Sequence, residues 1–445
     1  MFDLLIHNAK VLTIDGETVD SDVVCHNGRI EKIADRVDAN ATEIIDADGH
    51  LLMPGVIDPQ VHFREPGAPH KEDINSGSRA AVRGGVTSFL EMPNCNPPTI
   101  GQEQLNWKIA RASHSSFANF GFFIGATKEN LKELNDANPV CGIKIFMGSS
   151  TGNLLVDDQQ ILDKIFSTGA RLIAVHAEDE SRIQKRHAQL TQNTSADIPY
   201  ERHSEIRDAK TALIATQRAV DLSNKYGRRL HILHLSTAEE VNFLRNNKSA
   251  HISCEVVPNH LFLSTDDYAS LGAKAQMNPP LRDVNNSQHL WRGLYDNVID
   301  IIATDHAPHT VDEKSKPYPN SPSGTPGVET SLPLMLTAMV AGQCTLKQIQ
   351  EWMCTGPAKV YGIQKKGLLT EGYDADLALV DIRAFQTVKD SEVFSRAGWS
   401  PFAGMRLTGW PIYTIVNGRV VFDHGVIREG VFGQPLSFHG SDIHD

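Results

Sequence analysis

The residues with the clearest capacity for chemistry stand where apolar, strand-like runs give out. Asp58, Gln60, His62 and Arg64 close the run that begins at Val56, and Lys144 lies inside GIKIFMGS (142–149). His176 falls near the end of RLIAVHAE (171–178), and His234 near the end of RLHILHLS (229–236). VIDIIATDHAP (298–308) finishes on Thr304, Asp305 and His306, with His309 just beyond Pro308. Imidazole is the commonest metal ligand in proteins, and carboxylates complete hard or borderline sites. His62, His176, His234 and Asp305, on four strand ends, therefore make a donor set for a metal that activates water. A single histidine at a strand end is usually structural; the shared placement of four donors carries the inference.

Strand alternation says which side chains share a face. Gln60 and His62 differ by two and point the same way, and Arg64 continues that face if the strand does not bend. His231 and His234 differ by three and face opposite ways, which makes His234, nearer the strand's end, the better ligand candidate. Lys144 needs its own account, because a lysine in an apolar strand is costly unless paired or neutralised. It is either an ion-paired or snorkelling lysine, or one whose amine has taken up CO2 to form an anionic carbamate bridging two metals.

These positions need elements to hold them. Eight strand-like runs (56–63, 86–94, 118–127, 142–149, 171–178, 229–236, 251–260 and 298–308) alternate with stretches of helical period such as DDQQILDKIFSTG and TAEEVNFLRNN. Eight strands joined by crossovers predict parallel βα units closed into a (β/α)8 TIM barrel, whose chemistry sits at the C-terminal ends of its strands. Both ends of the chain are instead short apolar runs separated by turn signals such as Asn-Gly and Asp-Gly. We expect 1–53 and 363–445 to form one small β domain around a barrel at 54–362. Residues 179–228 should carry one or two helices. The connection 309–327, rich in Pro, Ser and Gly, reads as an ordered loop or lid. GSSTGN (148–153) reads as a plain βα loop or as a flap in which Ser150 or Thr151 touches a ligand.

The chain has 445 residues, 40% of them hydrophobic and 22% charged, which excludes a disordered or collagen-like protein. Its net charge of −12 and lack of a basic run argue against nucleic acid or an anionic membrane as partner. A local arginine can still hold an anionic small molecule. No window approaches the roughly 18 uncharged apolar residues of a membrane span, and MFDLLIHNAK does not read as a signal peptide. The six cysteines form no C-x-x-C pair, so neither a zinc knuckle nor a disulfide framework is expected, and a reducing cytoplasm is the natural location.

In order and across the whole barrel, GVIDPQVHFREPGAPHKED, EMPNCNPPT, GIKIFMGSSTG, VHAE, HLS and ATDHAPHT resemble the dihydroorotases of the amidohydrolase superfamily. The flanking β segments look like that superfamily's small β-sandwich. The resemblance implies a zinc enzyme, holding one or two Zn2+ ions, that interconverts N-carbamoyl-L-aspartate and L-dihydroorotate in pyrimidine synthesis. It implies that His62 ligates the more buried metal, that Lys144 is the carboxylated bridging lysine, and that His176 and His234 hold the second metal. Asp305 would bind the first metal and shuttle the proton, while Arg64, Asn94, Asn278 and His309 would bind substrate. Some relatives use an aspartate near Asp157 as the bridge; the IKIFMG run favours Lys144.

One position departs from the family's usual His-x-His on the first strand: it holds Gln60. An amide oxygen is a weaker zinc ligand than imidazole. Gln60 could coordinate weakly, give place to a water, leave a single metal, or mark a protein without activity. Because His62, Lys144, His176, His234 and Asp305 all remain, we expect an active enzyme with an altered first metal site. One alternative is an inactive homologue with a structural role beside aspartate transcarbamoylase. Another is a dihydropyrimidinase or allantoinase, against which Arg64 argues, since its guanidinium fork suits a substrate carboxylate. The partner expected is the small-molecule substrate, with a homodimer and aspartate transcarbamoylase left open.

Overall fold

The computed structural model describes residues 1–149, 154–191, 198–430 and 433–438. Strand Phe2–Leu12 pairs with Thr18–His26, Ala41–Asp46 and Leu51–Pro54. Leu51–Pro54 in turn pairs antiparallel with Leu377–Asp381, from the other end of the chain. Trp410–Val416, Arg419–Asp423 and Val426–Ile427 continue the same nine-stranded sheet. The turn-rich termini thus build one β domain together, as their texture predicts.

Alternation lets this sheet serve two cores. Leu52, Leu377, Leu379 and Ile415 pack with Leu4, Ile6, Val23 and Ile30. Their strand neighbours Leu51, Met53, Ala378, Val380 and Val416 belong to the core that surrounds the barrel. A period of two sends successive side chains to opposite faces, so a run apolar at every position, such as LALV (377–380), marks a strand with a core on each side.

The eight barrel strands are present. In order they are Val56–Val61, Val86–Glu91, Asn119–Phe122 with Ile124–Gly125, Ile143–Phe146, Ile173–His176, Leu230–Ile232, Ile252–Val256 and Ile301–Ile302. Neighbours run parallel. The third is split at Phe123, one part pairing with the second strand and the other with the fourth. The circle closes where Val61 bridges His306 and the His62 amide donates to the His306 carbonyl at 2.8 Å. Asp58 buckles the same seam, accepting from the Thr304 hydroxyl at 2.5 Å and the Thr304 amide at 3.1 Å.

Several strands are shorter than their apolar runs. HISCEVVPNH stops pairing at Val256, and Pro258 opens the helix Pro258–Phe262. Proline, with a fixed φ and no N–H, suits a first helical position and ends the strand. VIDIIATDHAP pairs over Ile301–Ile302 and then only at His306, which bridges Val61 and Thr325. Among its described residues the connection 179–228 carries three helices, Glu180–Thr191, Arg202–Ile206 and Ala209–Tyr226, one more than the upper expectation. The 309–327 segment is ordered, a loop that opens with the short helix Val311–Lys314 and is organised in part by its own buried cation. The Lys314 ammonium donates to the carbonyls of Gln276, Pro322 and Gly324 at 3.0, 2.9 and 3.0 Å. Ser150 and Thr151 lie outside the described residues, and among those residues no helix is long and apolar enough to cross a membrane.

Leu379 is buried on the sheet face turned away from the barrel. Leu379→Ala is expected to cost about 2–5 kcal/mol. The measurement is the urea midpoint of the terminal sheet, and an unchanged midpoint would show that this face is not a packed core.

Candidate active site

Three residues at the strand mouths take a left-handed backbone: Arg64 (φ +59°), His234 (φ +38°) and Asp305 (φ +47°). Side chains rarely tolerate this region, and such residues cluster at functional sites. The left-handed turn also breaks the period of two. His231 and His234 therefore do not face opposite ways as alternation alone predicts. His231 Nε2 lies 2.9 Å from Glu255 Oε2, and His234 Nε2 lies 2.9 Å from His176 Nδ1; both rings sense the charge of Lys144.

On the first and eighth strands, His62 Nε2 lies 3.0 Å from Asp305 Oδ1, and the Gln60 amide donates to the same oxygen at 3.1 Å. His62 Nδ1 donates to Asn94 Oδ1 at 2.6 Å. In a neutral ring, Nε2 then presents a lone pair to a carboxylate oxygen. Burial, the largest influence, pushes the His62 pKa down and opposes the imidazolium that would satisfy both contacts. Two acceptors held this close call for a cation between them.

The fifth and sixth strands bring a second pair of side chains together. His176 Nε2 donates to Glu178 Oε2 at 2.9 Å, so its Nδ1 turns a lone pair toward His234. His234 Nδ1 is buried without a partner among the described residues. Burial drives the pKa of both rings down. Burial acts to raise the Glu178 carboxyl, but Arg207 and His176 bring it down to about 2. Arg207 pairs with Glu178 and also donates to the Ser149 carbonyl, at the end of the Lys144 strand.

Among the described residues no three His, Cys, Asp or Glu side chains gather closely enough to hold a cation by themselves. The candidate donors form two pairs, and Lys144 links them electrostatically. Its charge acts on His62, His176 and His234, and Asp305 acts on it. The Lys144 amine lies 4.6 Å from the Phe146 ring centre, and burial brings its pKa down to about 7 against the pull of Asp305 and Glu255. A large neutral fraction at physiological pH is what reaction with CO2 requires. Buried imidazoles and a carboxylate in two close pairs are the donor chemistry of a metal site, with each pair supplying half a coordination set. Asp157, the alternative bridge, is exposed.

The candidate substrate residues divide. Arg64 is buried, its Nε donating to the Pro308 carbonyl at 3.2 Å and its Nη2 lying 3.3 Å from His309 Nε2. Burial lowers its pKa to about 10, which still leaves a cation at neutral pH. His309 donates to the Ser323 carbonyl at 3.0 Å and accepts from Lys71 at 3.2 Å. Asn94 adjoins His62. Asn278 makes its contact elsewhere, accepting at Oδ1 from His203 Nε2 at 2.9 Å. Sequence reasoning passed over Glu178, His203, Arg207 and Glu255. Glu178 had a signal, standing two residues after His176 on the same face; His203 and Arg207 lie in a long helical connection that carries none.

A model of the amidohydrolase family matches residues 51–421. The chain is 37% identical to a dihydroorotase of Methanosarcina acetivorans over 438 residues, covering 95% of this chain and 92% of that one. It is 34% identical to a dihydroorotase of Pediococcus pentosaceus, covering 96% and 100%. In structure it is similar to an L-hydantoinase (dihydropyrimidinase) from Arthrobacter aurescens, with a TM-score of 0.93 and 31% identity over 98% of this chain and 100% of that one. The chain belongs to the amidohydrolase family, and its architecture is that family's TIM barrel carrying a β-sandwich domain.

Burial, with a further contribution from Arg207, holds the His203 pKa down at about 4 against an ordinary 6.5. Between those values the unfolded chain binds more protons than the folded one. The stability contributed by neutral His203 is thus complete above pH 6.5 and drains away as the pH falls toward 4, by roughly 3 kcal/mol. His203→Gln keeps a donor for Asn278 without titrating. It is expected to flatten the fall of the urea midpoint over this window, and an unaltered slope would count against a buried neutral imidazole.

Proposed function

We propose that the protein is a dihydroorotase, interconverting N-carbamoyl-L-aspartate and L-dihydroorotate plus water. The observation that supports this most is the disposition of two side-chain pairs, His62 with Asp305 and His176 with His234, about a buried Lys144 whose pKa burial brings down. The dihydroorotases among its relatives, similar over nearly the whole chain, support the same reading. His62 and Asp305 would hold one zinc, His176 and His234 a second, and carboxylated Lys144 would serve both. Zinc so held supplies a water activated at neutral pH and polarises the ring carbonyl.

The chain's own groups do the rest. Asp305 takes the proton of the attacking water and returns it to the ring amide nitrogen as the C–N bond opens. In the cyclising direction it takes the ureido proton instead. Arg64 pairs its fork with the substrate carboxylate, and its place beside His309 sets that carboxylate at the edge of the first pair. Asn94 and His309 complete the substrate contacts, and Asn278, whose Oδ1 accepts from His203, has its amide N–H group to offer the substrate. A cyclic amidase whose substrate lacks a carboxylate has no use for a buried guanidinium here, so Arg64 favours dihydroorotate over hydantoins.

Zinc-replete protein is expected to turn over dihydroorotate and to lose that activity on chelation. Asp305→Ala should lower kcat by roughly 100- to 10,000-fold with substrate still bound. Arg64→Lys should raise KM for dihydroorotate roughly 10- to 100-fold. Metal-replete protein that acts in neither direction would overturn the proposal. Hydrolysis of an uncharged hydantoin, indifferent to Arg64→Lys, would move it to the hydantoinases.

A further inference from the structure

We infer that Gln60 is a positioning residue for Asp305, acting through its amide N–H, and not a metal ligand. The inference deepens the proposed function and rests on it.

Gln60 is 1% exposed, and its amide is turned so that Nε2 donates to Asp305 Oδ1 at 3.1 Å. Oδ1 is also the oxygen that faces His62 Nε2. A cation shared by His62 and Asp305 would therefore meet the N–H end of the Gln60 amide, which has no lone pair to give. The carbonyl end, Oε1, is buried without a partner among the described residues. The backbone is fixed as well. The Gln60 amide donates to Asp58 Oδ1 at 3.2 Å, and its carbonyl accepts from the Thr304 hydroxyl at 3.5 Å. Asp58 and Thr304 are the two residues that buckle the first strand to the eighth. The Gln60 side chain is thus anchored to the strand that carries Asp305, one residue before it.

The consequence for Asp305 is orientation. A carboxylate takes hydrogen bonds at either oxygen and rotates about its χ2 unless one oxygen is held. Gln60 holds Oδ1, the oxygen that also faces the His62 lone pair, and among the described residues no hydrogen bond engages Oδ2. Oδ2 is then the oxygen that carries the proton between water and amide nitrogen. An imidazole at position 60 would instead compete for the cation.

The test separates ligand from positioner. Wild type, Gln60→Met, which keeps the length without the N–H, and Gln60→Glu, which keeps the shape, are compared for zinc equivalents, zinc Kd by chelator competition, and steady-state kinetics with dihydroorotate. The expected result for Gln60→Met is the wild-type number of zinc equivalents, a zinc Kd within about threefold of wild type, an unchanged KM, and a kcat lowered roughly 10- to 100-fold, the scale of a lost hydrogen bond to a charged group. Gln60→Glu should lose kcat likewise while holding zinc at least as tightly. Loss of a zinc equivalent, or a Kd weakened more than tenfold in Gln60→Met, would make Gln60 a ligand and overturn the inference. Wild-type kcat in either variant would overturn it too. If wild type itself fails to turn over dihydroorotate, the proposed function fails, and the zinc measurements still decide whether Gln60 ligates.

Discussion

Lone pairs that face one another in a buried place are the constraint on which the rest of the molecule depends. His62 Nε2 and Asp305 Oδ1 are acceptors held 3.0 Å apart, and the His176 and His234 rings meet beside them at 2.9 Å, in surroundings that disfavour protonation of the rings. Such an arrangement is costly by itself, because a low dielectric strengthens repulsion as readily as attraction. A closed barrel can hold it. The seam between the first and eighth strands is fixed by Asp58 with Thr304 and by the His62 amide with the His306 carbonyl, and the pair across that seam cannot relax apart. Left-handed backbone at Arg64, His234 and Asp305 is a second cost, accepted where the strands open onto the site.

Compensating charge lies close around this centre. Glu178 holds His176 from behind and is itself held by Arg207, whose carbonyl accepts from Arg282. Glu91, fully buried, pairs with buried Lys108, and its charge acts on Arg64. Lys71, Arg64 and Lys314 surround His309. The protein is acidic overall, with a net charge of −12, yet Arg64 and Lys314 are cations withdrawn from water beside His309. Net charge describes the surface and bears on solubility, whereas recognition is set by a few groups withdrawn from water.

Fold likeness cannot choose among cyclic amidases. The L-hydantoinase of Arthrobacter aurescens is similar at a TM-score of 0.93, while the relatives named dihydroorotase are similar by sequence. A shared barrel hosts different substrates by changing a few side chains at the strand mouths. In the proposed reading the side chain that makes the choice is Arg64, buried beside His309 and Pro308, where a carboxylate would gain most from a charged fork.

Much of this was written locally and could be read from the chain. Apolar runs of period two or of every position, separated by helical stretches, specify eight barrel strands and a sheet built from both termini, because each depends only on neighbours in sequence. His62, His176, His234 and Asp305 were visible as polar residues where those runs end. Tertiary structure decided the rest. Alternation placed His231 and His234 on opposite faces until a left-handed backbone at His234 turned it inward, and Pro258 converted the end of a long apolar run into a helix. No local pattern shows that the Gln60 amide meets a carboxylate 245 residues away, or that Arg207 meets Glu178 across 29. Those contacts exist only once the first strand meets the eighth and the long connection after the fifth folds back over it. Residue order sets which side chains arrive at the barrel mouth, and closure of the barrel sets which atoms of them touch.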